Sequence, residues 1–239
     1  APRKEQDVNE PIHRRVINFA RGSWYPKGQA RLAKSLWTHS RNTATRFLNS
    51  EELLGQPPHQ EIPYAFKLGC FQRALTEGVD LVLWLDAACY AIRDITPVFD
   101  HIEKHGYFFV GASGEGEAHT IGKWTNDATL DAFGFERDEV MDVPQQSTCC
   151  IGLDLRRQDM RQWLHTWVTH RAFFRGRWDN KTFSESSDPR CLGHRHDQSV
   201  AALITHVMKL DVHPRDNHLF AYECCPNPEP TVCILSGGM

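Results

Sequence analysis

Two aspartates occupy positions where an α/β chain does chemistry. The run Leu81-Val82-Leu83-Trp84-Leu85 is uninterrupted apolar sequence, as in a parallel strand covered on both faces, and Asp86 follows at its C-terminal end. That is the edge at which open α/β sheets collect ligands, so its carboxylate is a candidate for a cation or for a substrate hydroxyl. A strand-end aspartate capping a turn has the same position. The second aspartate lies in His196-Asp197-Gln198-Ser199, just ahead of an apolar helical pattern that begins near Val200. A carboxylate there can take a proton or offset positive charge, and its plain alternative is a helix cap. Lys67 falls near the start of another helix, where a lysine is ordinarily solvated. Ala20, Arg21 and Gly22 follow the first strand, and Gly22 lets the backbone approach a bound group closely.

The elements that must position these residues alternate in kind. Arg14 to Ala20 reads as a first strand, followed by a helix through Leu32 and Leu36. A polar loop with Pro57, Pro58 and Pro63 leads to a helix from about Tyr64 to Glu77, carrying Leu68, Phe71 and Leu75 on one face and ending at Gly78. After the strand that ends at Asp86, Thr96-Pro97 offers a cap and a first-turn proline for a helix that stops at Gly106. Tyr107 to Val110 is the next strand, and the succession strand, helix, strand is that of a doubly wound sheet. A glycine-rich loop runs from Gly111 to Gly122, a short segment from Asp127 to Phe133, and a strand from about Cys149 to Leu155. Met160, Trp163, Leu164, Trp167 and Val168 follow helical spacing, as do Val200, Leu203, Ile204, Val207 and Met208. The expected organisation is a flexible lead-in over 1–13 and one domain over 14–239 that ends in an irregular tail.

The apolar strand closed by Asp86 resembles the strand that ends in the Asp-x-Asp motif of nucleotide-sugar-dependent glycosyltransferases with the GT-A fold. Asp197-Gln198 is similar to the Asp-Gln element at the start of a late helix in such enzymes. Cys150-Ile151-Gly152-Leu153 resembles the strand whose glycine floors their acceptor site, and Pro63 to Lys67 resembles the helix start that brings a lysine toward the donor. The likeness runs from about residue 14 to 213. It implies a single α/β domain with a mixed sheet flanked by helices, and transfer of a hexosyl or pentosyl group from a nucleotide sugar. The acceptor it leaves open: a glycan, a small molecule, a protein or a modified nucleic-acid base. Asp197 becomes the carboxylate near the reacting bond, and Gln198 a partner of a sugar hydroxyl. Ala20, Arg21, Gly22, Lys67 and Asp86 line the donor. Trp124, Asp127 and Trp178 fall in loops, where rings stack on sugars and carboxylates accept hydroxyl protons, and Trp124, Asp127 and Gly152 are the acceptor candidates. The family motif wants a second carboxylate where this chain has Ala88. Asp86 alone gives Mn²⁺ or Mg²⁺ few oxygen ligands unless the diphosphate completes the site, so direct contact with donor ribose or sugar is the alternative role.

Bulk properties narrow the field. The chain has 239 residues, 41% of them hydrophobic and 24% charged, which suits a packed globular fold. A formal charge of −3 gives no global field for a polyanion, so general nucleic-acid binding is not expected. No apolar run reaches the roughly 18 residues of a membrane helix, and the polar start is unlike a signal peptide. The eight cysteines, several inside apolar stretches and none in a C-x-x-C pair, suit a reducing, cytoplasmic setting, although their even number also permits disulfides. Cys191-Leu192-Gly193-His194-Arg195-His196 has the look of a metal cluster, but histidines two apart face opposite ways on an extended strand, so one functional and one structural histidine is the expectation. Neither a phosphate-binding P-loop, a G-x-G-x-x-G fingerprint nor a nucleophile elbow occurs. Two other classes remain: a nucleotide-sugar-binding module without turnover, and a metal-dependent nucleotidyltransferase.

Overall fold

The structure, a computed structural model, describes residues 11–50, 54–112 and 119–238. Positions 1–10 of the expected lead-in and 113–118 of the glycine-rich loop lie outside them. In chain order the elements are β1 (Arg14–Phe19), α1 (Tyr25–His39), β2 (Ala44–Leu48), α2 (Ala65–Thr76), β3 (Leu81–Leu85), β4 (Cys89–Ala91), α3 (Thr96–His105) and β5 (Tyr107–Gly111). The second half adds α4 (Asp127–Phe133), β6 (Gln146–Asp154), α5 (Gln158–Thr169), α6 (Asn180–Phe183), α7 (Asp197–Val207), β7 (Phe220–Tyr222) and β8 (Ile234–Ser236).

A five-stranded mixed sheet in the order β2-β1-β3-β6-β5 carries the molecule. Strand β1 runs parallel to β2 and β3, whereas β6 is antiparallel to both β3 and β5. The α/β class with a mixed, helix-flanked sheet is therefore as expected, but β5 does not follow β3 as a doubly wound sheet would have it. Strand β6 lies between them, and Gly152 at its middle makes this possible. A Cβ there would stand 2.5 Å from Ile102 Cδ1, so only a glycine lets α3 close on the sheet.

Both faces of the sheet are covered, and the central strand β3 is apolar at every position for that reason. Val82, Trp84, Ile151 and Leu153 face a layer made by α2, α5 and α7. Leu81, Leu83, Leu85 and Cys150 face α1, α3 and the C-terminal strands. Each fully buried Leu, Ile or Phe contributes about 1.5–3 kcal/mol relative to exposure.

Four expectations are corrected. Strand β6 begins at Gln146 rather than near Cys149. Its polar start is accommodated because Gln146 Oε1 accepts the Thr205 hydroxyl at 2.5 Å and Thr148 is bonded by Lys67. Helix α3 is capped at Ile95, not Thr96; Asp94 Oδ1 instead accepts the Thr96 N–H at 3.2 Å and its hydroxyl at 3.1 Å. Asp127 is the first residue of a helix, not part of a loop. The tail is not wholly irregular: β7 and β8 join β4 in a small sheet, with Val232, Cys233 and Ile234 buried. All eight cysteines are free thiols. Among the described residues no helix is long and apolar enough to cross a membrane.

Candidate functional site

The parallel strands β1 and β3 end at one edge of the sheet. The chain leaves β1 through Ala20, Arg21 and Gly22, whose φ of 87° lies in the left-handed region that glycine adopts freely. Helix α2 must return the chain to the opposite edge before β3 begins, so its first turn, with Lys67, lies at the ligand-collecting edge. Antiparallel β6 starts at that same edge, which puts Thr148 beside α2, and the Asp86 N–H donates to Cys149 O at 2.8 Å. Helix α7 is fastened from behind by α5, the Trp167 Nε1–H donating to Asp197 O at 3.1 Å.

At this junction Lys67 joins the two aspartates. Its Nζ lies 3.0 Å from Asp197 Oδ2 and 3.3 Å from Asp86 Oδ1. It also donates to Thr148 O at 3.0 Å and Thr148 Oγ1 at 3.1 Å. Lys67 is only 2% exposed, so the solvated reading of this lysine is wrong. Burial by itself would lower its pKa, but the carboxylates of Asp197 and Asp86 outweigh that and raise it, keeping the ammonium charged.

Asp197 is buried at the first position of α7, and its carboxylate meets an ammonium instead of capping the helix. Beyond that ion pair, Asp197 Oδ2 accepts no hydrogen bond from the described residues. Asp86 Oδ1 takes the Trp84 indole N–H at 2.7 Å. Burial, reinforced by Asp197, raises the Asp86 pKa, while Lys67 and the indole N–H work against the rise. The cluster holds one cation against two carboxylates.

A cleft of about 310 Å³ opens against this cluster, within the usual range for small-molecule sites. It gathers Ala20, Arg21, Gly22, Lys67 and Asp86, five positions drawn from separate stretches of chain. Most of its remaining wall is aromatic, from Phe19, Tyr25, Tyr64, Phe66 and Trp84, with His59, Gln60 and Ala87 completing it. Phe19 and Phe66 stack with centroids 4.5 Å apart. Aromatic residues just past a strand end, at Tyr25, and at a helix start, at Tyr64 and Phe66, were the available signal. Burial and the neighbouring Asp197 push the Tyr64 phenol up to about 12. Asp197 is not part of the cleft lining, but its charge is felt by Lys67, Tyr64, Asp86 and Arg195 beside it.

The other candidates lie elsewhere. Gln198 is turned inward, its amide donating to Gln145 Oε1 at 2.8 Å, and is not part of the cleft wall. Gly152 has Ile102 and Phe108 packed where a Cβ would stand, and it is not part of the cleft wall. Asp127 spends its oxygens on Arg137 at 2.6 Å, Ser186 Oγ at 2.5 Å and the Ser187 N–H at 3.0 Å, which holds the chain after α6 in place and lowers its pKa. Trp124 stacks on His119 with centroids 5.1 Å apart. Trp178 stays half exposed.

His194 and His196 do not face opposite ways: they lie outside any strand, and their rings meet edge to face with centroids 6.0 Å apart. His194 is fully buried between the Asn126 N–H and Phe173 O, and burial pushes its pKa down to about 3. His196 caps α7 at φ 55° with its ring 5.5 Å from that of Tyr64.

The divalent cation implied by the resemblance does not fit these residues. Ala88 supplies no ligand, Asp86 Oδ1 is shared by an indole and an ammonium, and Lys67 occupies the space between the two carboxylates. Among the described residues no three His, Cys, Asp or Glu side chains converge to hold a metal ion.

No family profile matches this chain, and no curated protein sequence matches it. Its fold is similar to that of mouse xyloside xylosyltransferase 1, solved by crystallography in its apo form. That likeness has a TM-score of 0.52 at 11% identity and covers 95% of this chain and 98% of the other.

Proposed function

We propose that the protein is a glycosyltransferase that moves a sugar from a nucleotide-sugar donor to an acceptor hydroxyl, with the donor seated in the cleft at the C-terminal ends of β1 and β3. The observation that carries this reading is the Lys67 ammonium held between Asp86 and Asp197 against a ligand-sized cleft. The mouse transferase of similar fold supports the reaction class. The aromatic wall suits the face of a nucleobase, and Asp86, whose side chain keeps 34% of its surface open, suits donor hydroxyls. In the transfer, the anomeric carbon exchanges its bond to the diphosphate oxygen, which leaves with the electron pair, for a bond to the acceptor oxygen. Asp197 is the carboxylate assigned to that carbon. It takes the acceptor proton if configuration inverts; if configuration is retained it balances the positive charge on the sugar while the departing diphosphate oxygen takes the acceptor proton, and the stereochemistry of the product decides which. With the Lys67 ammonium between the two carboxylates, donor binding is expected to persist in EDTA.

The test is a thermal-shift screen of nucleotide sugars, UDP-xylose among them, on the wild type and on Asp86→Ala in EDTA. A ligand bound only by the folded state raises the melting temperature. At least one donor is expected to do so for the wild type, and Asp86→Ala is expected to abolish the rise while melting normally without ligand. No shift with any donor, or an equal shift in the variant, removes the cleft from donor binding.

A further inference from the structure

Arg21 lines the cleft itself, and among the other basic side chains Arg195 is held differently. Lys67 is outnumbered by its two carboxylates, Arg175 pairs with Glu61 at 3.5 Å and Arg215 with Asp216 at 3.0 Å. The Arg195 guanidinium instead lies over two rings, 4.0 Å from the Trp178 centroid and 5.1 Å from that of Trp124. Among the described residues it has no carboxylate partner, and only its backbone is hydrogen-bonded, its N–H donating to Ser199 Oγ at 3.0 Å. A planar guanidinium stacked in this way keeps its in-plane N–H donors for a ligand, and the rings fix its orientation in advance.

The stack borders the donor site. Arg195 stands two residues before Asp197, Trp178 is 6.0 Å from the His196 ring, and His196 is 5.5 Å from Tyr64, which lines the cleft. The charge of Arg195 is also coupled to Tyr64 and Asp197. A nucleotide sugar brings two negative phosphates to a cluster that already carries an excess of negative charge and whose residues do not fit a divalent ion. Something must neutralise the diphosphate, and a guanidinium fork matches phosphate oxygens two at a time.

We propose that Arg195 is the diphosphate-binding group of the donor site, occupying the role that a divalent ion fills where two carboxylates are available. This rests on the donor reading above. Trp124 and Trp178 are then positioning residues that hold the fork rather than platforms for an acceptor.

The experiment is calorimetric titration of uridine, guanosine and adenosine and of UDP, GDP and ADP in EDTA, with wild type, Arg195→Gln and Arg195→Lys. Thermal melts check that each variant is folded. At least one diphosphate is expected to bind the wild type more tightly than its nucleoside. Arg195→Gln should lose about 10- to 100-fold in that diphosphate's affinity, the size of a charge-assisted contact, with nucleoside affinity unchanged, and Arg195→Lys should recover part of the loss. Diphosphate binding by Arg195→Gln equal to wild type overturns the proposal and leaves the donor reading standing. Proportional loss of nucleoside and diphosphate also overturns it, since that marks a packing role. If no diphosphate binds the wild type, the donor reading falls with it.

Discussion

Asp197 opens α7 and Asp127 opens α4, and each carboxylate lies against a basic side chain, Lys67 at 3.0 Å and Arg137 at 2.6 Å. Their surroundings separate them. Asp127 has 44% of its side chain exposed and both oxygens occupied by an arginine, a hydroxyl and a backbone N–H, which is the full valence of a structural clamp. Asp197 is buried beside a second carboxylate, with an ammonium as its single strong partner. Buried charge with so few bonds is costly to fold, and a site that keeps it next to a cleft is a functional candidate in a way that the clamp is not. Position in sequence treats the two aspartates alike; spare bonding capacity tells them apart.

The largest effect that could break this contrast is expected at Lys67. Lys67→Met leaves Asp197 buried and the partly open Asp86 beside it without a cation, and removal of one partner from a buried ion pair costs about 3–5 kcal/mol. Urea unfolding should show a loss of that size. A variant as stable as the wild type would mean that the two carboxylates do not depend on the ammonium.

A smaller effect sharpens the description of the Asp127 side as scaffold. His194 is neutral and enclosed there, bonded to the N–H of Asn126, the residue that caps α4. Its unfolded imidazole takes up a proton below pH 6.5, whereas in the folded state this waits until about 3. Since the unfolded state binds more protons across that window, stability falls as pH drops from 6.5 toward 3. At about 1.4 kcal/mol per unit, pH 5 should cost the wild type about 2 kcal/mol relative to pH 7, and His194→Gln should lose less over the same interval. Parallel losses in the two proteins would show that the ring titrates normally.

The smallest effect belongs to the clamp itself. Asp127→Asn keeps several hydrogen bonds and loses a half-exposed ion pair, so about 0.5–1 kcal/mol of stability should go, with the ligand-induced melting shift intact. A lost shift would return Asp127 to the functional site.

Much of this was legible in sequence, for a physical reason. Doubly buried strands such as Leu81 to Leu85 and amphipathic helices such as α5 carry strong periodic signals, and the edge where β1 and β3 end follows from them. Strand β2 gave no such signal because its first three residues are exposed and no alternation survives at a sheet edge. Strands β4, β7 and β8 are three residues each, too short for any period to show. The gathering of Ala20, Arg21, Gly22, Lys67 and Asp86 around one cleft could be anticipated from strand ends and helix starts. The direction in which a side chain turns could not, as with the inward Gln198, and burial of Lys67 depended on a strand beginning three residues earlier than its apolar run suggested.

The central claim, that the Lys67-linked carboxylates form the reaction centre of a sugar transfer, is tested most directly by following nucleoside diphosphate released from the donor that raises the melting temperature, in wild type and in Asp197→Asn. The amide keeps the shape of the carboxylate and removes its charge. The account predicts release by the wild type in EDTA and a fall of about 100-fold or more in kcat for the variant, with the donor-induced shift retained. Equal rates per folded molecule in the two proteins would contradict it.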